Sequence, residues 1–175
     1  MKHAIGVLAL LCATGSACAA GWQLAEPVEG GPPAEARIRG EAVFGRARLP
    51  AELALSCRAD APPATTTVRL LGRPGGFDLA PFEGADGVGR HGRLASYAVG
   101  RARFVPARVG GAALDADVFG LSFALPAREA AALVDARQLR FRLKPARGRA
   151  APLEARFDLP YDSAPLRRAL QGCGV

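Results

Sequence analysis

The stretch Leu53-Ala54-Leu55-Ser56-Cys57 constrains this chain most, because a second cysteine far downstream can reach back to it. Strict alternation sends Leu53, Leu55 and Cys57 to one face of a strand and Ala54, Ser56 and Arg58 to the other. Near the C-terminus, Leu166, Ala169, Leu170 and Cys173 recur at i, i+3, i+4 and i+7, the apolar stripe of a short helix that carries its own cysteine. A Cys57–Cys173 disulfide would staple that helix to the inner face of the strand. The closed loop spans 116 residues, and on the chain-entropy account such a bridge contributes about 4–5 kcal/mol. Two buried free thiols are the alternative.

The compartment bears on that choice. Met1-Lys2-His3 is a basic tip, Ala4 to Cys12 a short apolar run, and Ala17-Cys18-Ala19-Ala20 a small-residue end, the pattern of a secretory signal peptide rather than a bilayer span. Residues 1–19 are therefore expected to be removed, leaving 20–175 as a single β-rich domain in the periplasm. Neither Cys12 nor Cys18 has the flanking residues of a lipid-attachment site, so a lipoprotein is not expected. Two of the four cysteines leave with the leader, and the remaining pair allows one connectivity.

Charge is less informative than it first looks. The chain has 23 Lys+Arg against 16 Asp+Glu, and loss of Lys2 leaves a net charge of +6. Lys144 is then the only lysine, so the excess is arginine in a chain rich in Ala, Gly and Pro, a composition that codon bias produces without any anionic partner.

Trp22 stands just after the leader and is expected to dock on the domain, with an exposed recognition tryptophan as the sharper alternative. Strands are expected over 38–44, 53–57, 65–71, 94–99, 103–109, 118–125, 139–144 and 153–159, with turns at Gly30-Gly31-Pro32-Pro33, Ala59 to Pro63 and Arg73 to Gly76. The spacing predicts one helix over 127–135, started by Pro126, and a terminal helix from about Pro165 that ends at Gly172. The fold expected is mainly β, an antiparallel β-sandwich or flattened barrel with a short helix in the second half and a C-terminal helix. A doubly wound α/β fold would need helices between most strands.

Few residues point to chemistry. Gly87-Val88-Gly89-Arg90-His91-Gly92 spells G-x-G-x-x-G, but a Pro-Gly loop precedes it and strand-like Leu94 to Val99 follows, whereas dinucleotide binding needs a strand before and a helix after. His91 is the sole histidine beyond the leader, so an imidazole metal site or a Ser-His-Asp arrangement would have to use it. Ser56, Ser96 and Ser122 lie inside expected strands, and Gly120 to Ala124 misses the nucleophile-elbow pattern. Asp115 and Asp117, or Asp78, Glu83 and Asp86, lack the spacing of a calcium loop, and turn formation is the plainer reading. No metal and no cofactor is expected.

Two features suggest a contact surface. Arg140, Arg142 and Lys144 alternate with Leu139, Phe141 and Leu143, and Arg147 and Arg149 extend the row, so one strand face offers cations to phosphate or carboxylate groups. The competing reading has Glu154 and Asp158 on the next strand neutralise that face. The long irregular segment 77–93 offers Phe82, Asp86, Arg90 and His91 as loop contacts. Aromatics suited to stacking on bases are scarce, which argues against nucleic acid.

The second half resembles small periplasmic proteins of the VasI type, accessory to type VI secretion. The residues that carry the resemblance are Phe123-Ala124-Leu125, Leu133, Leu139 to Arg142, Ala155 to Leu159 and Leu166 to Cys173, with the early Trp22 and the Leu53 to Cys57 strand. The resemblance implies an envelope protein without catalytic residues. The expectation is thus a non-enzymatic binding or envelope-assembly module whose partner is an envelope protein or an anionic envelope component. A small hydrolase using His91 or the loop acids, and an inhibitor of a periplasmic enzyme, are the alternatives.

Overall fold

The computed structural model describes residues 21–27, 29, 33–58, 63–84 and 86–174. The leader 1–19 and the turns expected at 30–32 and 59–62 lie outside the described residues. The chain is mainly β, a curled antiparallel half-barrel with two helices, one of them C-terminal.

The strands are β1 (Gln23–Ala25), β2 (Glu35–Phe44), β3 (Ala47–Ser56), β4 (Ala64–Leu71) and β5 (Ala95–Val99) in the first half. β6 (Val105–Ala107), β7 (Gly110–Asp115), β8 (Val118–Leu125), β9 (Gln138–Leu143) and β10 (Leu153–Asp158) follow. They form one sheet in the order β6-β5-β9-β10-β2-β3-β4-β8-β7, with β1 added onto β2. β2 and β3 are joined by a tight turn at Gly45, whose φ of 58° suits a residue without Cβ. Pro50 sits within β3 but one residue outside its ladder with β4, which begins at Ala51↔Leu70, so the missing N–H leaves that ladder intact.

Side-chain alternation decides what the sheet encloses. Ala36, Ile38 and Ala42 of β2, Leu49, Leu53 and Leu55 of β3, and Leu139, Phe141 and Leu143 of β9 are buried on the inner face. Glu35, Arg37, Glu52, Arg69, Arg142 and Arg156 stand on the outer one. The rings of Tyr97 on β5 and Phe123 on β8 stack with centroids 5.2 Å apart, and Phe123 stacks on Phe141 at 5.7 Å. β5 and β8 are six strand spacings apart in the sheet order, which in a flat sheet would be about 29 Å. Contact between their rings therefore requires the sheet to curl until its two ends face each other across the core.

The curl nearly closes at one end. β6 and β7 are opposite edges of the sheet, yet only Arg108 and Val109 lie between them. Three Cα steps reach at most about 11 Å, so the edges must approach within that distance, leaving a seam instead of a ladder.

Helix α1 (Ala127–Asp135) buries Ala130, Leu133 and Val134. Helix α2 (Ala164–Leu170) buries Leu166, Ala169 and Leu170, and it packs on β1, β2 and β3. A 3-10 turn, Gln171–Cys173, continues α2, and the left-handed stop falls on Gly174 (φ 72°), two residues beyond the expected Gly172. Cys57 and Cys173 stand at disulfide-bonding distance, with Cα atoms 5.7 Å apart. Trp22 is 8% exposed, so it is a core anchor and the reading of an exposed recognition tryptophan is set aside.

Among its described residues, segment 77–93 is built, not loose. It contains two 3-10 turns, Ala80–Phe82 and Val88–His91, and Phe82 is fully buried. Phe77 meets Phe44 edge-on at 5.2 Å and Phe82 at 6.3 Å, which pins the segment to the core. The second turn follows Gly87 and leads through Gly92 (φ 66°) to a strand, so the G-x-G-x-x-G match has no helix N-terminus behind it.

Candidate binding surface

Two groups of cations stand out in this chain. On the outer face of the sheet most are neutralised by carboxylates across the strands or two residues along the same strand, although Arg39 is not. Arg142 bonds Glu154 at 2.8 Å, Arg156 bonds Asp158 at 3.0 Å and Arg48 bonds Glu41 at 2.6 Å. Asp158 also accepts a bond from Gln138 Nε2, and chiefly for that reason, helped by Arg156, its carboxyl lies below the ordinary aspartate range. Arg69 lies between Glu52 and Glu35 and bonds both. Burial opposes its charge, but the bond to Glu52 and the field of Glu35 outweigh it and raise the guanidinium above its usual value.

The predicted row on β9 divides accordingly. Arg140 reaches over the turn after β5 and donates to the carbonyls of Gly100 (3.5 Å) and Ala102 (3.2 Å). Phe104 stacks under both Arg140 and Arg142, at 5.0 and 4.2 Å from its centroid. Arg140 thus fastens the 100–104 turn to the sheet, and Arg142 is shared by Glu154 and Phe104. The side chains of Lys144, Arg147 and Arg149 are exposed and have no hydrogen-bond or ion-pair partner among the described residues.

The second group gathers at one end of the sheet. Ala95 pairs with both Ala107 and Leu143, so the residues just beyond these pairs, Arg93 and Leu94, Arg108 and Lys144, converge there. The Lys144 amide donates to Leu94 O at 2.7 Å, and the Val109 amide to Gly89 O at 3.0 Å, which brings the Val88–His91 turn alongside. A Cβ on Gly89 would collide with Val109, and one on Gly92 would lie 3.4 Å from Arg108 Cγ, so these glycines let the turn lie flat against the crossing. Arg90, His91, Arg93, Arg108, Lys144, Arg147 and Arg149 are all exposed at this end or on the loop that leaves it, without side-chain partners among the described residues.

Of the loop contacts expected from the sequence, Arg90, His91 and Asp86 are exposed. Phe82 is corrected: it is 0% exposed and packs inward, because the Ala80–Phe82 turn is anchored on the core through it, and it offers nothing to a partner. Arg93 and Arg108 were not singled out in the sequence, because nothing local marks them; only the strand register brings them to Lys144.

Two concavities flank the 77–93 segment. A groove of about 520 Å³ lies beside the seam, at the Arg108–Gly110 crossing, and is lined by Arg90, Arg108, Thr65 and Ser122 among others. A cavity of about 360 Å³ lies on the other side, lined by Asp78, Glu83, Asp115 and Asp117 together with Arg73, Phe77 and Phe119. Asp78 there accepts from the Ala80 amide, Asp115 from Ala116, and Asp117 pairs with Arg73 at 3.5 Å. These acids terminate turns, and among the described residues no group of three His, Cys, Asp or Glu is placed to hold a metal. No described helix is long and apolar enough to cross a membrane.

No protein family, curated protein or solved structure matches this chain.

Proposed function

We propose that this chain is an exported, non-enzymatic binding or envelope-assembly module. It meets an anionic envelope component, or an acidic surface of an envelope protein, through the sheet end that carries Arg93, Arg108, Lys144, Arg147 and Arg149. One contrast supports this reading: on the outer sheet face Arg37, Arg48, Arg69, Arg142 and Arg156 hold carboxylate partners and Arg39 does not, whereas none of the cations at this end holds one among the described residues. Exposed cations without neutralising neighbours raise the local potential and favour an anionic partner. The leader-like residues 1–19 support export, the cysteine pair suits an oxidising compartment, and the resemblance to VasI-type proteins points to the same setting.

The test is retention of partners from an envelope extract by the tagged, processed protein. At low salt a partner should be retained, and it should be lost at high salt, because exposed charges are screened beyond about 10 Å at 0.1 M ionic strength. Arg93→Gln combined with Lys144→Gln should lose it at low salt, and His91→Ala should keep it. No partner at either salt contradicts the proposal.

A further inference from the structure

We propose that the groove beside the seam binds a tetrahedral oxyanion, a phosphate group, between Arg90 and Arg108. The inference rests on the basic end being a binding surface and adds to it a ligand class and a position. Arg90 comes from the Val88–His91 turn and Arg108 from the two-residue crossing between the sheet edges, and both line the groove. Neither side chain has a hydrogen-bond or ion-pair partner among the described residues, and no carboxylate lines the groove with them.

The opposite wall comes from the outer faces of β4 and β8, which bring the hydroxyls of Thr65 and Ser122 to the same groove. Ser122 Oγ already lies 2.8 Å from Thr67 Oγ1, so it can accept there and donate its own hydrogen into the groove. Two guanidinium groups and two hydroxyls supply donors from more than one side. A planar carboxylate is served by one bidentate arginine, whereas a phosphate's several oxygens use donors converging from opposite walls. Pro63, Val109, Gly110, Phe123 and Ala124 form the remaining, uncharged part of the lining, against which the organic part of a phosphate ester would rest.

Inorganic phosphate titrated into the oxidised, processed protein, against chloride at matched ionic strength, tests this by backbone amide shifts. Saturable shifts are expected at Arg90, Arg108, Gly110 and Ser122. Arg90→Gln with Arg108→Gln, which keeps the aliphatic stem over Gly92, should weaken binding by about tenfold or more. Arg39→Gln, which removes an exposed cation without a partner on the outer face, should leave it unchanged.

Non-saturable shifts, or equal weakening by the Arg39 and the paired variants, would overturn the inference. Sedimentation with phosphatidic acid vesicles, against phosphatidylcholine, separates two sources of the same group. Phosphate-dependent sedimentation assigns a lipid headgroup, and binding of free phosphate without sedimentation assigns a soluble ester; both uphold the site. A salt-sensitive envelope partner without phosphate binding sinks this inference and spares the proposed function, and phosphate binding without any partner does the reverse.

Discussion

Thr66 is the one polar residue among the described residues that is wholly buried, and its hydroxyl has no hydrogen-bond partner there. It sits on the inner face of β4, between Ala64 and Val68, where a methyl group would suit the surroundings better than an oxygen. Thr66→Val keeps the shape and the β-branched backbone preference while removing an unsatisfied group. It should raise stability by about 1 kcal/mol in urea denaturation, and a loss of stability would show that the hydroxyl has a partner the fold needs. At this scale the sequence is silent: Thr65, Thr66 and Thr67 read as one β-branched run, and alternation assigns Thr66 to the inner face without saying what its oxygen meets.

Among the elements, α2 and the strand it is tied to matter most. Leu166 and Leu170 of α2 are fully buried on β2 and β3, and Cys173 extends that contact to Cys57. A 116-residue loop restricts the unfolded chain more than the folded one. Replacing both cysteines by alanine should therefore lower the unfolding free energy by about 2–4 kcal/mol, with the folded far-UV spectrum retained; an unchanged denaturation midpoint would remove the tie from the account. Helix α1, strand β8 and the faces of β9 and β10 follow directly from residue periodicity, since each buries its apolar set on one side. β7 does not. Gly110-Gly111-Ala112-Ala113 has no alternation and reads as a turn, but Gly111 is in a strand because the Phe82–Gly84 backbone lies against it, with Gly84 N 3.0 Å from Gly111 O, where a Cβ would stand 2.6 Å from Phe82 O. Segment 77–93 was opaque for the same reason. Phe77 and Phe82 look like loop aromatics until the sheet they insert into is known.

For the whole molecule, the governing fact is the curl. It puts the rings of Tyr97 and Phe123 in contact, brings two sheet edges together at Arg108-Val109, and gathers at one end arginines that come from distant parts of the chain. A net charge of +7 over the full sequence says nothing about where the positive potential lies. Ion pairing across and along the strands decides that, neutralising most of the outer face and leaving the seam end uncompensated. Retention on an immobilised polyanion measures this difference most directly, as the salt concentration at which the processed protein elutes. A variant with Arg93, Arg108, Lys144 and Arg149 changed to Gln should elute at clearly lower salt. One with four outer-face arginines, Arg37, Arg48, Arg142 and Arg156, changed to Gln should elute close to the parent, although both lose the same charge. Equal displacement of the two variants would contradict the account.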